Sequence, residues 1–227
     1  MSRPDESLVV GHFPGYAPVM HRPDILHRMK ATRCDSGGIS EGYRIAGRVL
    51  HNDPDYRTRV GRSSVDTRMV PSPMGDAGDT VISVRDDHRI LARKAERITH
   101  PGPLRFLKWT PERWGTVVTY DHPQGPVTHI NIHPSPVFAG PRKWRKVIDW
   151  ALRKIRAAKA AGNIVVLTGD LQTKARIRGL LGEQGLSSWN NGVDWIAWHG
   201  VQLVGVRTVR VDGLDHPWLC GTFAAVS

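Results

Sequence analysis

Cysteine is nearly missing from this chain: Cys34 and Cys220 are its only two in 227 residues. Two thiols cannot build a disulfide framework or a cysteine-rich zinc site, so neither kind of support is expected. No apolar run approaches the roughly 20 residues that a membrane span needs. The opening Met1-Ser2-Arg3-Pro4-Asp5-Glu6 lacks the basic-then-apolar order of a secretory signal. A reduced, cytoplasmic protein is the expectation. Repeats, low-complexity tracts and a Pro/Gly/Ser linker are also missing, so residues 1–227 read as one domain. No Gly-rich phosphate loop follows a strand. Among His12, His21, His27, His51, His88, His100, His122 and His199, no pair has the spacing that puts two metal ligands on one helix face.

What the chain has in surplus is positive charge. Lys and Arg number 32 against 21 Asp and Glu, a formal +11 with histidine neutral. Such a surplus draws in polyanions, of which nucleic acid is the most abundant. Charge alone leaves the matter even, because many basic proteins never meet nucleic acid. The hydrophobic fraction of 40% is enough for a sizeable core.

Leu8 to Phe13 reads as a first strand, and Pro23-Asp24 as the opening of a short helix. Residues from Gly42 to Asp79 are rich in Arg, Asp, Pro and Gly and read as long surface loops. Thr80 to Arg85 and Trp114 to Tyr120 are β-branched runs, hence strands. In Val127 to His133 the period of two puts Thr128, Ile130 and Ile132 on one face, read as core. Val127, His129, Asn131 and His133 lie on the other, where a site could be built. Arg142 to Ala161 carries an apolar stripe of Trp144, Val147, Ile148, Ala151, Leu152, Ile155 and Ala158 at helical spacing. Its many Lys and Arg read as a solvated outer face. Asn163 to Thr168 is a strand buried on both faces, Lys174 to Gln184 a second helix, and strands follow at Val193–Trp198, Val201–Val211 and Pro217–Val226. The pattern predicts an α/β sandwich with mixed sheets.

Polar residues recur at the strand ends in a fixed order: Glu41 after paired glycines, Asn131 and His133, Asp170 and Gln172, Asp194, then Asp215 and His216. Singly, each reads as readily as a turn or sheet-edge residue. Together, they resemble the endonuclease/exonuclease/phosphatase superfamily. Asn131-Ile132-His133 is similar to its Asn-x-His strand end, and Gly169-Asp170-Leu171-Gln172 to its Gly-Asp-x-Asn motif. Asp194-Trp195-Ile196 resembles its Asp-x-Ile strand, and Leu214-Asp215-His216-Pro217 its Ser-Asp-His motif. The likeness is carried from about Gly115 onward. From Leu8 to Asp79 it rests on position.

Phosphodiester cleavage places negative charge on oxygens that are already anionic. It therefore calls for a cation, hydrogen-bond donors and a base that activates water. The resemblance implies a four-layer α/β sandwich, two packed mixed sheets flanked by helices. It also implies a carboxylate-held Mg²⁺ or Mn²⁺. Glu41 and Asp215 would hold the metal, and Asp194 would orient His216 as general base. Asp170 would position the water, and His133 would donate to the phosphate with Gln172 and Asn131. A nuclease acting on DNA or RNA is the leading expectation. A phosphatase or phosphodiesterase for small or lipid esters is the second. A nucleic-acid-binding protein without turnover is the third, since Pro14 or His12 stands where the family carries Asn, and Gln172 replaces the motif's last Asn.

Overall fold

A computed structural model describes residues 7–14, 28, 31–40, 56–60, 80–100, 102–103, 109–110, 113–134, 141–172, 174–214 and 216–226. Strands β1 (Leu8–Pro14), β2 (Ser36–Ser40), β3 (Tyr56–Val60), β4 (Thr80–Arg85), β13 (Val201–Val209) and β14 (Trp218–Ala225) form one sheet, ordered β13-β14-β1-β2-β4-β3. Strands β5 (Ile90–Thr99), β8 (Arg113–Tyr120), β9 (Val127–Ile132), β10 (Ile164–Asp170), β11 (Ser187–Asn191) and β12 (Asp194–His199) form the other, ordered β11-β12-β10-β9-β8-β5. A two-stranded ribbon joins β6 (Gly102–Pro103) to β7 (Trp109–Thr110). Both large sheets are mixed: β1 runs parallel to β2, and β9 parallel to β10, among antiparallel neighbours.

Alternation along the strands decides what each face meets. Leu8, Val10, Ile82, Leu219 and Phe223 from the first sheet pack against Val118, Val127, Val166, Ile196 and Trp198 from the second. The outer face of the second sheet, including Ile130, Ile132, Val165 and Leu167, is covered by α1 (Pro141–Ala160) and α2 (Lys174–Glu183). Trp144, Val147, Ala151 and Ile155 of α1 meet that face, as the apolar stripe predicts. Among the described residues, no helix is long and apolar enough to cross a membrane.

The His129/Asn131 face of β9 is therefore not solvent-facing. It looks into the space between the sheets, and only its end reaches a rim. The Ile130/Ile132 face is core, as read, and the layer it packs under is the helices. Strand β3 lies inside the stretch read as loop, while the predicted helix at Pro23-Asp24 falls outside the described residues. Strands β2, β5 and β11 carry no readable strand signal. Strand β2 is Ser-Gly-Gly-Ile-Ser, because a Cβ at Gly38 would come within 2.1 Å of Thr168 Oγ1 and one at Gly37 within 2.2 Å of the Phe13 ring. Strand β5 is an edge strand whose exposed Arg and Lys hide the alternation, as edge strands require. Its Glu96 accepts hydrogen bonds from Trp150 Nε1 and Lys154 Nζ and so ties the edge to α1.

Candidate active site

The interior between the sheets turns from apolar to polar along its length. Beyond Val10 and Val166 come His12, His129, Asn131, Thr168, Asp170 and Asp194, every one buried. They form a connected network. Ser36 Oγ lies 2.9 Å from Tyr120 Oη and 2.8 Å from His129 Nδ1. His129 Nε2 is 2.8 Å from Thr168 Oγ1, which donates to Asn131 Oδ1 at 3.1 Å. Asn131 Nδ2 donates to the carbonyls of Ile39 (2.8 Å) and Val81 (3.0 Å) in the opposite sheet. Both amide protons of Asn131 are thus engaged in clamping the sheets together.

At the rim, Asp170 closes β10 and Asp194 opens β12, and the two are direct partners in antiparallel register. Like charges directly opposite destabilise a sheet. Each carboxylate has its own histidine environment. Asp194, fully buried, accepts from His12 Nε2 through Oδ1 at 3.0 Å, and His216 Nδ1 stands 3.1 Å from its Oδ2. Burial opposes its charge, but the bonds from His12 and His216 outweigh burial and hold the carboxyl below its ordinary range. Asp170 has His133 Nε2 at 3.8 Å. Burial, reinforced by the charge of Asp194 and only partly offset by His133, raises its pKa. Arg113 Nη1 lies 3.3 Å from His133 Nδ1. Arginine can only donate, so neutral His133 carries its proton on Nε2, the side facing Asp170.

Gln172 follows on a backbone with φ of 66°, a left-handed conformation that costs a residue with a Cβ. Its N–H donates to Asp170 Oδ1 at 3.2 Å, which closes the tight turn after β10. Gly169 is required just before, since a Cβ there would stand 2.0 Å from the carbonyl oxygen of Ile132.

The structure therefore brings together His133, Asp170, Gln172, Asp194 and His216 at one rim, with Asn131 behind it. Glu41 and Asp215 lie outside the described residues. Glu41 follows directly on Ser40, the β2 residue paired with Pro14 of β1. Two participants had no assigned role in the sequence: His12, noted only as standing where the family carries Asn, and Arg113. Period-two alternation in Leu8–Phe13 puts His12 on the face of Leu8 and Val10, which was the available signal. Nothing local marked Arg113.

A divalent cation fits this donor set. Asp170, Asp194 and His216 each offer a ligand atom within 4.8 Å of the others, and a cation would relieve the repulsion between two facing carboxylates.

No protein-family model matches the sequence, and no curated protein matches it. Solved structures do. An endonuclease/exonuclease/phosphatase from Bacteroides vulgatus superposes with a TM-score of 0.72 at 14% identity, covering 97% of this chain and 99% of that one. Zebrafish TDP2, solved with a single-strand DNA product, gives 0.71 at 12% identity, covering 97% and 100%. A mannosyl-6-phosphatase from Bacteroides thetaiotaomicron gives 0.67 at 12% identity, covering 96% and 99%. The chain has the fold of the endonuclease/exonuclease/phosphatase superfamily.

Proposed function

We propose that the protein is a metal-dependent phosphodiesterase that hydrolyses DNA or RNA. The observation that carries this reading is the Asp194 carboxylate held between two imidazoles, directly across from a second carboxylate with a raised pKa. With Nδ1 of His216 directed at Asp194, Nε2 is the ring nitrogen that would accept a proton from water attacking phosphorus. Asp194 fixes that tautomer and stabilises the imidazolium that forms. The His216 side chain is 31% exposed, whereas Asp194 is fully buried, so the base faces solvent and its orienter does not. Asp170 accepts a hydrogen bond from the attacking water and aligns it. His133, with its Nε2 proton, donates to the phosphate oxygens, and the Gln172 amide adds a second donor. Arg113 beside His133 contributes fixed positive charge where the transition state gains negative charge. Asn131 acts from behind by clamping the strand that presents His133. Mg²⁺ or Mn²⁺, held by Glu41 and Asp215 as the resemblance implies, would stabilise charge on the phosphate and leaving oxygens.

The net charge of +11 favours a polymeric anion. The structural likeness to a mannosyl-6-phosphatase supports a small phosphate ester as the second reading. Salt separates the two. Plasmid DNA, a labelled RNA and a small chromogenic phosphodiester are incubated with protein and Mg²⁺ or Mn²⁺ over increasing NaCl. The nuclease reading predicts cleavage of a polymer that falls steeply with salt through counterion release. Turnover confined to the small ester and indifferent to salt would replace it with the second reading. Salt-sensitive binding without turnover in any metal would leave a nucleic-acid-binding protein.

A further inference from the structure

Cys34 and Cys220 stand 186 positions apart in sequence, yet their sulfurs lie 3.8 Å from each other. Cys34 sits in the turn that leads into β2, and Cys220 in β14. Both are buried on the outer face of the first sheet beside Phe13 and Trp218. The packing that joins them is specific. Strand pairing sets Cys220 opposite Gly11 of β1, and a Cβ at Gly11 would come within 3.0 Å of Cys34 Sγ. Glycine at that position leaves the space that the Phe13 ring fills, 2.4 Å from where a Cβ would stand, with Cys34 Sγ beside it.

Their surroundings are unequal. Cys34 donates its thiol proton toward Cys220, and Thr32 Oγ1 donates to Cys34 Sγ at 3.2 Å. The bond to Cys220 and burial push the Cys34 thiol up. The bond from Cys34, helped by the Arg207 cation and opposed by burial, brings Cys220 down. Arg207 itself is exposed on β13 and flanks this pair from the solvent side. A thiol whose pKa is lowered, beside a cation and 3.8 Å from a second thiol, is an arrangement that oxidation can close to a disulfide.

We propose that Cys34 and Cys220 form an oxidisable dithiol, in which Cys220 meets a peroxide first and Cys34 then closes an internal disulfide. The Cys220 thiolate attacks one oxygen of hydrogen peroxide, breaks the O–O bond and becomes a sulfenic acid, and hydroxide leaves. Cys34 gives its proton to that hydroxide and attacks the sulfenyl sulfur. The S–S bond forms and a second hydroxide departs, which takes up the proton Cys220 lost on ionising. Two thiols lose two electrons, and one peroxide becomes two waters. Closing the bond brings the sulfurs from 3.8 Å to the ~2 Å of a disulfide. The link would tie β14 to the turn before β2 across β1, the strand that carries His12.

The test uses the full reduced chain and no substrate. Protein is treated with dilute hydrogen peroxide, blocked with N-ethylmaleimide in denaturant, and analysed by intact mass and non-reducing peptide mapping. The Cys34→Ser and Cys220→Ser variants run beside it with a dimedone trap. Expected are loss of both thiols in concert, a Cys34–Cys220 peptide within one chain, and a raised melting temperature reversed by dithiothreitol. Cys34→Ser should give a dimedone adduct at Cys220, while Cys220→Ser should keep its thiol. Two maleimide-labelled cysteines after peroxide has fully oxidised a control peptide thiol would overturn the proposal, as would a link between two chains. An adduct forming first on Cys34 would overturn the assigned order. The wild-type readout stands even where a variant fails to fold.

Discussion

His129 makes the stability of this protein sensitive to mild acid in a way that can be calculated. It lies fully buried between Ser36 and Thr168, and burial, with a contribution from nearby His12, lowers its pKa to about 3. An unfolded histidine titrates near 6.5. The folded pKa is the lower one, so below 6.5 the unfolded chain binds a proton that the folded chain refuses. Stability is lost as pH falls from 6.5, and the loss stops only near 3, where the folded state also protonates. Between pH 7 and pH 5 the linkage relation gives a loss of about 2 kcal/mol from this one group. The depressed carboxyls Asp35 and Asp194 contribute in the same direction, but only at lower pH, below the unfolded carboxylate range. Urea unfolding followed by tryptophan fluorescence at pH 7, 6 and 5 measures the slope, and His129→Gln removes the titrating group. The variant should be less stable at pH 7 by about 1–3 kcal/mol, through weakened buried hydrogen bonds. It should then lose about 2 kcal/mol less than wild type on going to pH 5. Parallel losses in the two proteins would refute a neutral, buried His129.

Other substitutions probe the rim and its support. Gln172→Asn puts at the left-handed position a residue that adopts it more readily, and should stabilise by a few tenths of a kcal/mol; thermal melting checks this. Gly38→Ala drives a Cβ into Thr168 Oγ1 and Asn131 Oδ1. It should cost about 1–3 kcal/mol or more by overpacking, read as a fall in the urea midpoint. His12→Ala strips Asp194 of a buried partner and should lower kcat much more than it raises KM. Equal effects on both would assign His12 to substrate binding instead.

Legibility differed by element, for physical reasons. Helix α1 was readable to within a residue or so at either end, because Trp144, Val147, Ala151 and Ile155 must share one stripe to meet the sheet. Strand β10 was readable up to Thr168 but runs on to Asp170. Gly169 and Asp170 look like a turn in sequence, and pairing with Trp195 and Asp194 draws them into the sheet. That extension sets the two carboxylates face to face, which no local pattern disclosed. The β9 alternation is legible in the sequence, but which face meets which layer depends on a second sheet, 92 and 50 residues away at Ile39 and Val81. The glycines of β2 look like a loop until Thr168 and Phe13 are seen to fill the space a side chain would need. The motif residues stood out because chemistry restricts their type. His12 and Arg113 did not, because their meaning comes from Asp194 and His133, distant in sequence and adjacent only after folding.

The proposed role of His216, a base oriented by Asp194 that activates water at a metal-assisted phosphodiester site, is open to a direct comparison of wild type with His216→Ala on plasmid DNA and labelled RNA, with Mg²⁺ or Mn²⁺ and with EDTA. Wild type should cleave in a metal-dependent way that EDTA abolishes, and the variant should lose at least about a hundredfold, the usual contribution of a general base. Undiminished cleavage by a folded His216→Ala, or cleavage by wild type that ignores EDTA, would contradict it.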